Sequence, residues 1–216
     1  MELFTSVTPT VVSLTFATIF QVSASLWYLS TIYRHETVLN PASWGLWSVL
    51  TILNTITYFF TSDAPIIALI PALSALSTTA VFISSLLLHA RVPLDWLDES
   101  AIIIGILSAG VWVGSGSAAL ASVTLQVAFM IGFLPTFRSL IKKTSHEPLG
   151  PWILWVIAYL FTMAAVTQSG AGSAAEYAYP FMATTLHAAV VSIAAGILIG
   201  GKLAKVKTTT IKAVGI

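Results

Sequence analysis

The sequence predicts an all-α integral membrane protein of seven transmembrane helices, arranged as two parallel three-helix repeats joined by a linker helix (3+1+3). Three observations predict it. Hydrophobic residues make up 57% of the 216-residue chain and charged residues 8%, against about 25% charged in an ordinary soluble domain, too few to build a polar shell. The apolar residues fall in continuous runs, not in the alternating pattern of barrel strands. Threading those runs through a bilayer also sorts the basic residues onto one face.

A spanning helix needs roughly 20 mostly apolar residues. In chain order the runs are Val7–Tyr33, Ala42–Phe60, Ile66–His89, Ala101–Val113, Ala118–Leu140, Trp152–Thr167 and Tyr177–Gly200. The fourth is the shortest, with Ser100 and Gly114–Ser117 available to extend it. Met1-Glu2-Leu3 brings no basic region, so the first run is expected to span and stay, not to be cleaved as a signal peptide.

With seven spans, Arg34, Arg91, Arg138, Lys142, Lys143, Lys202, Lys205, Lys207 and Lys212, all nine Lys and Arg of the chain, share one face. Glu2, Asp63 and Glu176 fall on the other. The positive-inside bias then predicts an outside N-terminus and a cytoplasmic C-terminus, as in a bacterial inner (plasma) membrane. Asp95, Asp98 and Glu99 are expected to cap and charge-complement the start of the fourth helix, with Trp96 as an interfacial anchor. The basic tail, 204–216, is expected at the anionic inner leaflet. The absence of cysteine excludes disulfides, thiolate metal sites and cysteine nucleophiles.

The two halves repeat. At an offset of 105, Gln21 falls on Gln126, Val22 on Val127, Leu29 on Leu134 and Thr31 on Thr136, with Ser30 opposite Pro135. At 108, Trp44 meets Trp152, Leu46 meets Leu154 and Trp47 meets Trp155; at 109, Pro71 meets Pro180. Each unit thus has an amide in its first helix, a basic loop, a Trp-x-x-Trp entrance to its second helix and a proline early in its third. A helix inserted between two such units gives them the same membrane orientation, the parallel-repeat plan of one class of transporter. The expected division is 1–90 for the first repeat, 91–116 for the linker helix, 117–203 for the second repeat and 204–216 for the tail. Pro71 and Pro180 read as first-turn prolines of their helices.

At these residues the chain resembles the PQ-loop superfamily and, within it, the SWEET-type seven-helix transporters. The resemblance covers the whole chain as a 3+1+3 pattern and is sharpest over Phe133–Tyr159. There the family has a Pro-Gln pair, a short basic loop and a tryptophan-bearing helix. The stretch Phe133-Leu134-Pro135-Thr136-Phe137-Arg138 is also similar to bacterial PQ-loop-like membrane proteins. The family's glutamine after proline is Thr136 here, the first copy has Ser30-Thr31, and Tyr159 stands where lysosomal amino-acid exporters of the superfamily often have an acidic residue. The resemblance implies a helix hinge at Pro135, with Ser30 its counterpart in the first unit.

Polar groups at mid-membrane depth are costly and therefore candidate functional groups. Those predicted to line a substrate cavity are Gln21, Asn54, Thr78, Gln126, Tyr159 and His187, with Trp47 and Trp155 as stacking surfaces. Each has an ordinary structural alternative: the amides can bond between helices, His187 can be a satisfied packing residue, and the tryptophans can belong to an interface belt. No run carries an acidic residue or lysine at mid-depth. The lining therefore predicts facilitated passage of a small, neutral, sugar-like solute by alternating access. The alternative reading is a non-transporting subunit that scaffolds a larger membrane complex. Lys202 follows Gly200-Gly201 at the membrane edge, which argues against a retinal Schiff base, and no His-Glu-x-x-His or Gly-x-Ser-x-Gly pattern marks an enzyme. No cofactor or metal is expected. The partners expected are the lipid bilayer and a solute, with a second copy or other membrane subunits left open and nucleic acid not expected.

Overall fold

A computed structural model of the protein describes residues 9–37, 41–62, 64–88, 96–142, 147–170 and 172–214. Glu2, Asp63, Arg91, Asp95, Lys143 and His146 lie outside them. The described residues form seven α-helices: α1 (Pro9–Tyr33), α2 (Pro41–Thr61), α3 (Leu69–Leu88), α4 (Trp96–Ser115), α5 (Ala118–Ile141), α6 (Leu149–Gln168) and α7 (Ala174–Val214). A single 3₁₀ turn, Pro65–Ala68, leads into α3.

Five segments are long and apolar enough to cross a membrane: α1, the 3₁₀ turn with α3, α5, α6, and α7 as far as Gly200. In α4 the apolar stretch is Ile102–Ser115. The sequence of α2 is long enough but more polar, because its buried face carries Ser48, Thr51, Asn54 and Thr57 beside Trp44 and Trp47. The bundle is turned inside out relative to a water-soluble protein. Phe16, Ile19, Leu26, Phe60, Leu76, Leu87, Ile106 and Val113 face outward, while Gln21, Asn54, Gln126, Ser74 and Thr162 are buried. Apolar surface on this scale is what a lipid-facing bundle presents, and a soluble monomer does not.

Packing follows from where small side chains lie. The inward face of α1 runs Ser13, Ala17, Gln21, Ala24, Tyr28 at helical spacing, and that of α6 runs Trp155, Ala158, Thr162, Ala165. The two helices make the most extensive contact of the bundle, since alanine and serine let backbones approach where hydrophobic exclusion from water no longer drives association. Helix α3 packs against both α1 and α2, and α7 packs against both α5 and α6. The two groups meet through α1 with α6 and α2 with α5, while α4 lies along α5 and touches α2.

Three boundaries differ from the sequence expectation. Helix α4 starts at Trp96, not Ala101, so Glu99 stands inside its first turn, where an acidic residue favours the positive end of the helix. The segment 204–216 was expected as a separate tail, yet α7 continues through Val214. Pro180 is not a first-turn proline, although Pro71, third in α3, is. A capping box explains the shift: the Ser173 hydroxyl accepts from Glu176 N at 3.3 Å and Glu176 Oε2 accepts from Ser173 N at 3.1 Å, which starts α7 at Ala174. Pro180 then has no N–H to give the carbonyl of Glu176, four residues earlier. The Tyr58 hydroxyl of α2 donates to that oxygen instead, at 2.8 Å.

Candidate functional site

The core between the two helix groups is a continuous aromatic and polar cluster. Toward the end of the bundle that carries Arg34, Arg138 and Lys142, the rings of Tyr28, Trp44, Trp47, Phe133, Trp152 and Trp155 pack at centroid distances such as 5.0 Å (Tyr28–Trp44), 4.7 Å (Trp47–Phe133) and 5.2 Å (Trp152–Trp155). Mixed edge-on and tilted contacts of this kind hold rings in fixed orientations. The Trp47 indole donates to the Gly132 carbonyl at 3.2 Å. That carbonyl is next to the one from which Pro135, inside α5, withdraws a backbone donor.

Deeper in, Ser74 of α3 joins four helices. It accepts from Gln21 Nε2 of α1 at 3.2 Å and from the Tyr179 hydroxyl of α7 at 3.0 Å, donates to its own helix at Ile70 O at 3.0 Å, and lies 3.1 Å from the Tyr159 hydroxyl of α6. The Ser74→Ala variant is expected to lose about 1–3 kcal/mol of stability, because it leaves buried donors on Gln21 and Tyr179 without this acceptor. Thermal unfolding in mild detergent measures it, and an unchanged midpoint would remove Ser74 from this role.

A cavity of about 50 Å³ lies between these two layers, room for one or two waters at a liquid share of about 30 Å³ each. Of the eight residues predicted to line a substrate cavity, seven border it: Gln21, Trp47, Thr78, Gln126, Trp155, Tyr159 and His187. Asn54 does not. It is fully buried behind Gln126, whose Nε2 donates to Asn54 Oδ1 at 3.1 Å and to Ser122 O at 2.8 Å. Its depth was readable in the sequence, but its face of α2 turns toward α5. Of the two predicted hinge residues, Pro135 is buried within an unbroken α5, and Ser30 is half-buried, its hydroxyl bonded to Trp27 O at 2.7 Å. Lining residues that the site prediction did not include are Trp44, Ser74, Ser77, Phe133, Trp152 and Tyr179, among others. One readable signal was the hydroxyl stripe Ser74, Ser77, Thr78 at helical spacing on α3.

Three polar atoms of the lining have no hydrogen-bond partner: Gln21 Oε1, Gln126 Oε1 and Ser77 Oγ. His187 adds a fourth functional group. Its Nδ1 lies 2.7 Å from Ala183 O, and a carbonyl only accepts, so Nδ1 is the protonated nitrogen and Nε2 is the acceptor of the neutral ring. The imidazole is enclosed by Phe133, Trp152, Trp155 and Tyr159 at 5.0–5.7 Å between centroids. The cavity thus offers hydrogen-bond acceptors, a hydroxyl and flat aromatic faces. Among the described residues no group of three or more His, Asp or Glu is gathered that could hold a metal ion. A roomier hollow, about 390 Å³, opens between α2, α3 and α4, but its lining of residues such as Leu46, Leu50, Phe82 and Ile102 offers a polar solute no side-chain partner.

At each end of the cluster a tyrosine is tied to a glutamate region across the two helix groups. At the basic end Glu147, just before α6, accepts from the Tyr28 hydroxyl at 2.8 Å and from Trp152 Nε1 at 3.0 Å. At the opposite end Glu176 is buried, holding the Ser62 hydroxyl at 2.8 Å and Ser173 through its capping box, while Tyr58 binds its carbonyl.

No family model matches this chain, and neither does any curated protein or solved structure.

Proposed function

We propose that the protein is a membrane transporter for a small, neutral, polar solute of sugar-like chemistry, bound at the cavity between its two helix groups. The observation that carries this reading is the set of unpartnered polar atoms, Gln21 Oε1, Gln126 Oε1 and Ser77 Oγ, gathered around one cavity between two helix groups. Buried polar atoms are nearly always paired in folded proteins. Several on residues that border one space, beside an imidazole and tryptophan faces, are what a polyhydroxy ligand would satisfy once the site opens. At about 50 Å³ the cavity is far below the roughly 300–1,000 Å³ of a ligand pocket, so entry requires the two groups to part.

The packing supports a SWEET-type, PQ-loop-like plan for that movement. Helix α3 lies against α1 and α2 as α7 lies against α5 and α6, and the cross-contacts α1–α6 and α2–α5 exchange under the same pairing of halves. In this reading the first unit is α1–α3, α4 links, and the second is α5–α7. All seven helices span, the basic end faces the cytoplasm of a bacterial inner membrane, and α5 bends at Pro135 more than α1 does at Ser30.

A ligand-stabilisation screen of the purified protein with neutral polyhydroxy solutes tests the binding half of the proposal. A ligand that binds the folded state raises the unfolding midpoint in proportion to its occupancy. The expected result is a concentration-dependent rise that is lost in His187→Ala. A rise that persists undiminished in that variant, or no rise across the screen, would count against the site.

A further inference from the structure

Glu147 does not border the cavity and has no part in solute binding there. It follows α5 and precedes α6, outside both helices, yet it is mostly buried. Both of its donors, Tyr28 Oη and Trp152 Nε1, reach the same oxygen, Oε2. Either protonation state of the carboxyl group can accept both bonds at Oε2; what the geometry fixes is that one carboxyl oxygen joins a side chain of α1 to a side chain of α6. Tyr28 belongs to α1 and is fully buried, and its ring lies 5.0 Å from Trp44 and 5.4 Å from Trp155, two of the residues that line the cavity. A single carboxyl group therefore ties α1 to the entrance of α6 directly over the aromatic layer.

We propose that Glu147 is a proton-binding gate: protonated, it holds Tyr28 and Trp152 together and closes the basic end of the cavity, and ionised, it releases α1 from the start of α6. The proposal rests on the cavity being a solute path, and it adds the proton as the ligand that controls access to it.

The direction follows from what burial does to the carboxyl group. Burial raises Glu147 from 4.5 to about 7, against the pull of the hydrogen bonds from Tyr28 and Trp152, which lower it. A closed site that holds its proton more tightly than a solvated carboxylate is favoured by acid. It loses that advantage as pH rises toward and past about 7. Among the described residues the titratable group bonded to Glu147 is Tyr28, from α1; its other described donor, Trp152 of α6, does not titrate. Arg34, Glu36 and Lys142 of the same end are exposed to solvent. Glu176 at the far end differs in geometry: Oε1 accepts from the Ser62 hydroxyl and Oε2 from the Ser173 capping box.

The chain has no native cysteine, so spin labels can be placed at Arg34→Cys and Ile153→Cys, both exposed, one at the end of α1 and one near the start of α6. Electron–electron distance measurements on the full-length protein are then made at about pH 5.5 and about pH 8.5. A closed-state value of about 7 and an open-state value of 4.5 predict a rise of roughly 30-fold in the open-to-closed ratio between those conditions. The expected result is one short distance in acid and a growing longer population in base. Glu147→Gln, a stand-in for the protonated acid, should stay short at both, and Tyr28→Phe, which lacks one of the tied groups, should show the longer population at both. Identical distributions at the two pH values in the native sequence, or a full pH response retained in Glu147→Gln, would overturn the proposal. Because the distances need no transported solute, a pH-driven opening without uptake would count against the transport reading alone, whereas uptake without opening would count against the gate alone.

Discussion

Replacing Trp152 with alanine is expected to lower the stability of the folded bundle by about 3–5 kcal/mol, the largest loss among single substitutions in the core. Trp152 is 1% exposed and contacts Tyr28, Trp47, Phe133, Trp155 and His187 while donating to Glu147. In a membrane the hydrophobic term between helices is largely absent, so what alanine forfeits is close packing: every ring lining the void loses its partner atoms on one side. The cost is also coupled. Without the indole, Glu147 keeps Tyr28 as its remaining described donor, and Trp47, Phe133, Trp155 and His187 lose the ring they all contact. Unfolding in mild detergent, followed by tryptophan-independent helix signal, measures the effect. A midpoint within experimental error of the native one would mean that the aromatic layer does not hold the two helix groups together.

The second large effect is on function. Gln21→Leu is expected to reduce uptake roughly tenfold or more at nearly unchanged stability. Leaving a buried hydrogen-bonding partner of a bound solute unmatched costs about 1–3 kcal/mol. Gln21 Nε2 gives Ser74 one of several bonds, so Ser74 keeps Tyr179 and its own helix carbonyl when the amide is lost. The unpartnered Oε1 contributes nothing to the fold that leucine would miss. Stability and uptake therefore separate at this position, whereas they fall together at Trp152. Equal loss of both in Gln21→Leu would assign the amide to packing, the ordinary alternative for a glutamine between helices.

How much of this was legible in the sequence depends on the range of the interaction involved. Gln21, Gln126 and His187 stand out because an amide or imidazole within an apolar run is costly wherever it points, and the structure brings all three to one cavity. Asn54 shows the limit of that argument. Depth is set by position along the helix, but facing is set by the neighbours of α2, and α5 lies where the asparagine points. The start of α4 was misjudged because apolarity was used to find it, while the helix itself begins at Trp96 and runs through Asp98 and Glu99. Pro180 was misjudged because Ser173 and Glu176, which fix where α7 begins, lie before its apolar stretch. Glu147 was not legible at all. A glutamate beside Lys142 and Pro148 reads as an ordinary loop charge, and its burial depends on Tyr28, 119 residues earlier in the chain.

That the cavity conducts a solute is tested by uptake into liposomes containing the purified protein. A panel of radiolabelled neutral sugars and related polyols is offered to protein-containing and empty vesicles at matched lipid. Saturable uptake of at least one of them above the empty-vesicle level is expected, competed by its unlabelled form and reduced roughly tenfold or more in Gln21→Leu. Folded protein whose vesicles take up none of the panel faster than empty ones, or uptake that Gln21→Leu leaves unchanged, would contradict it.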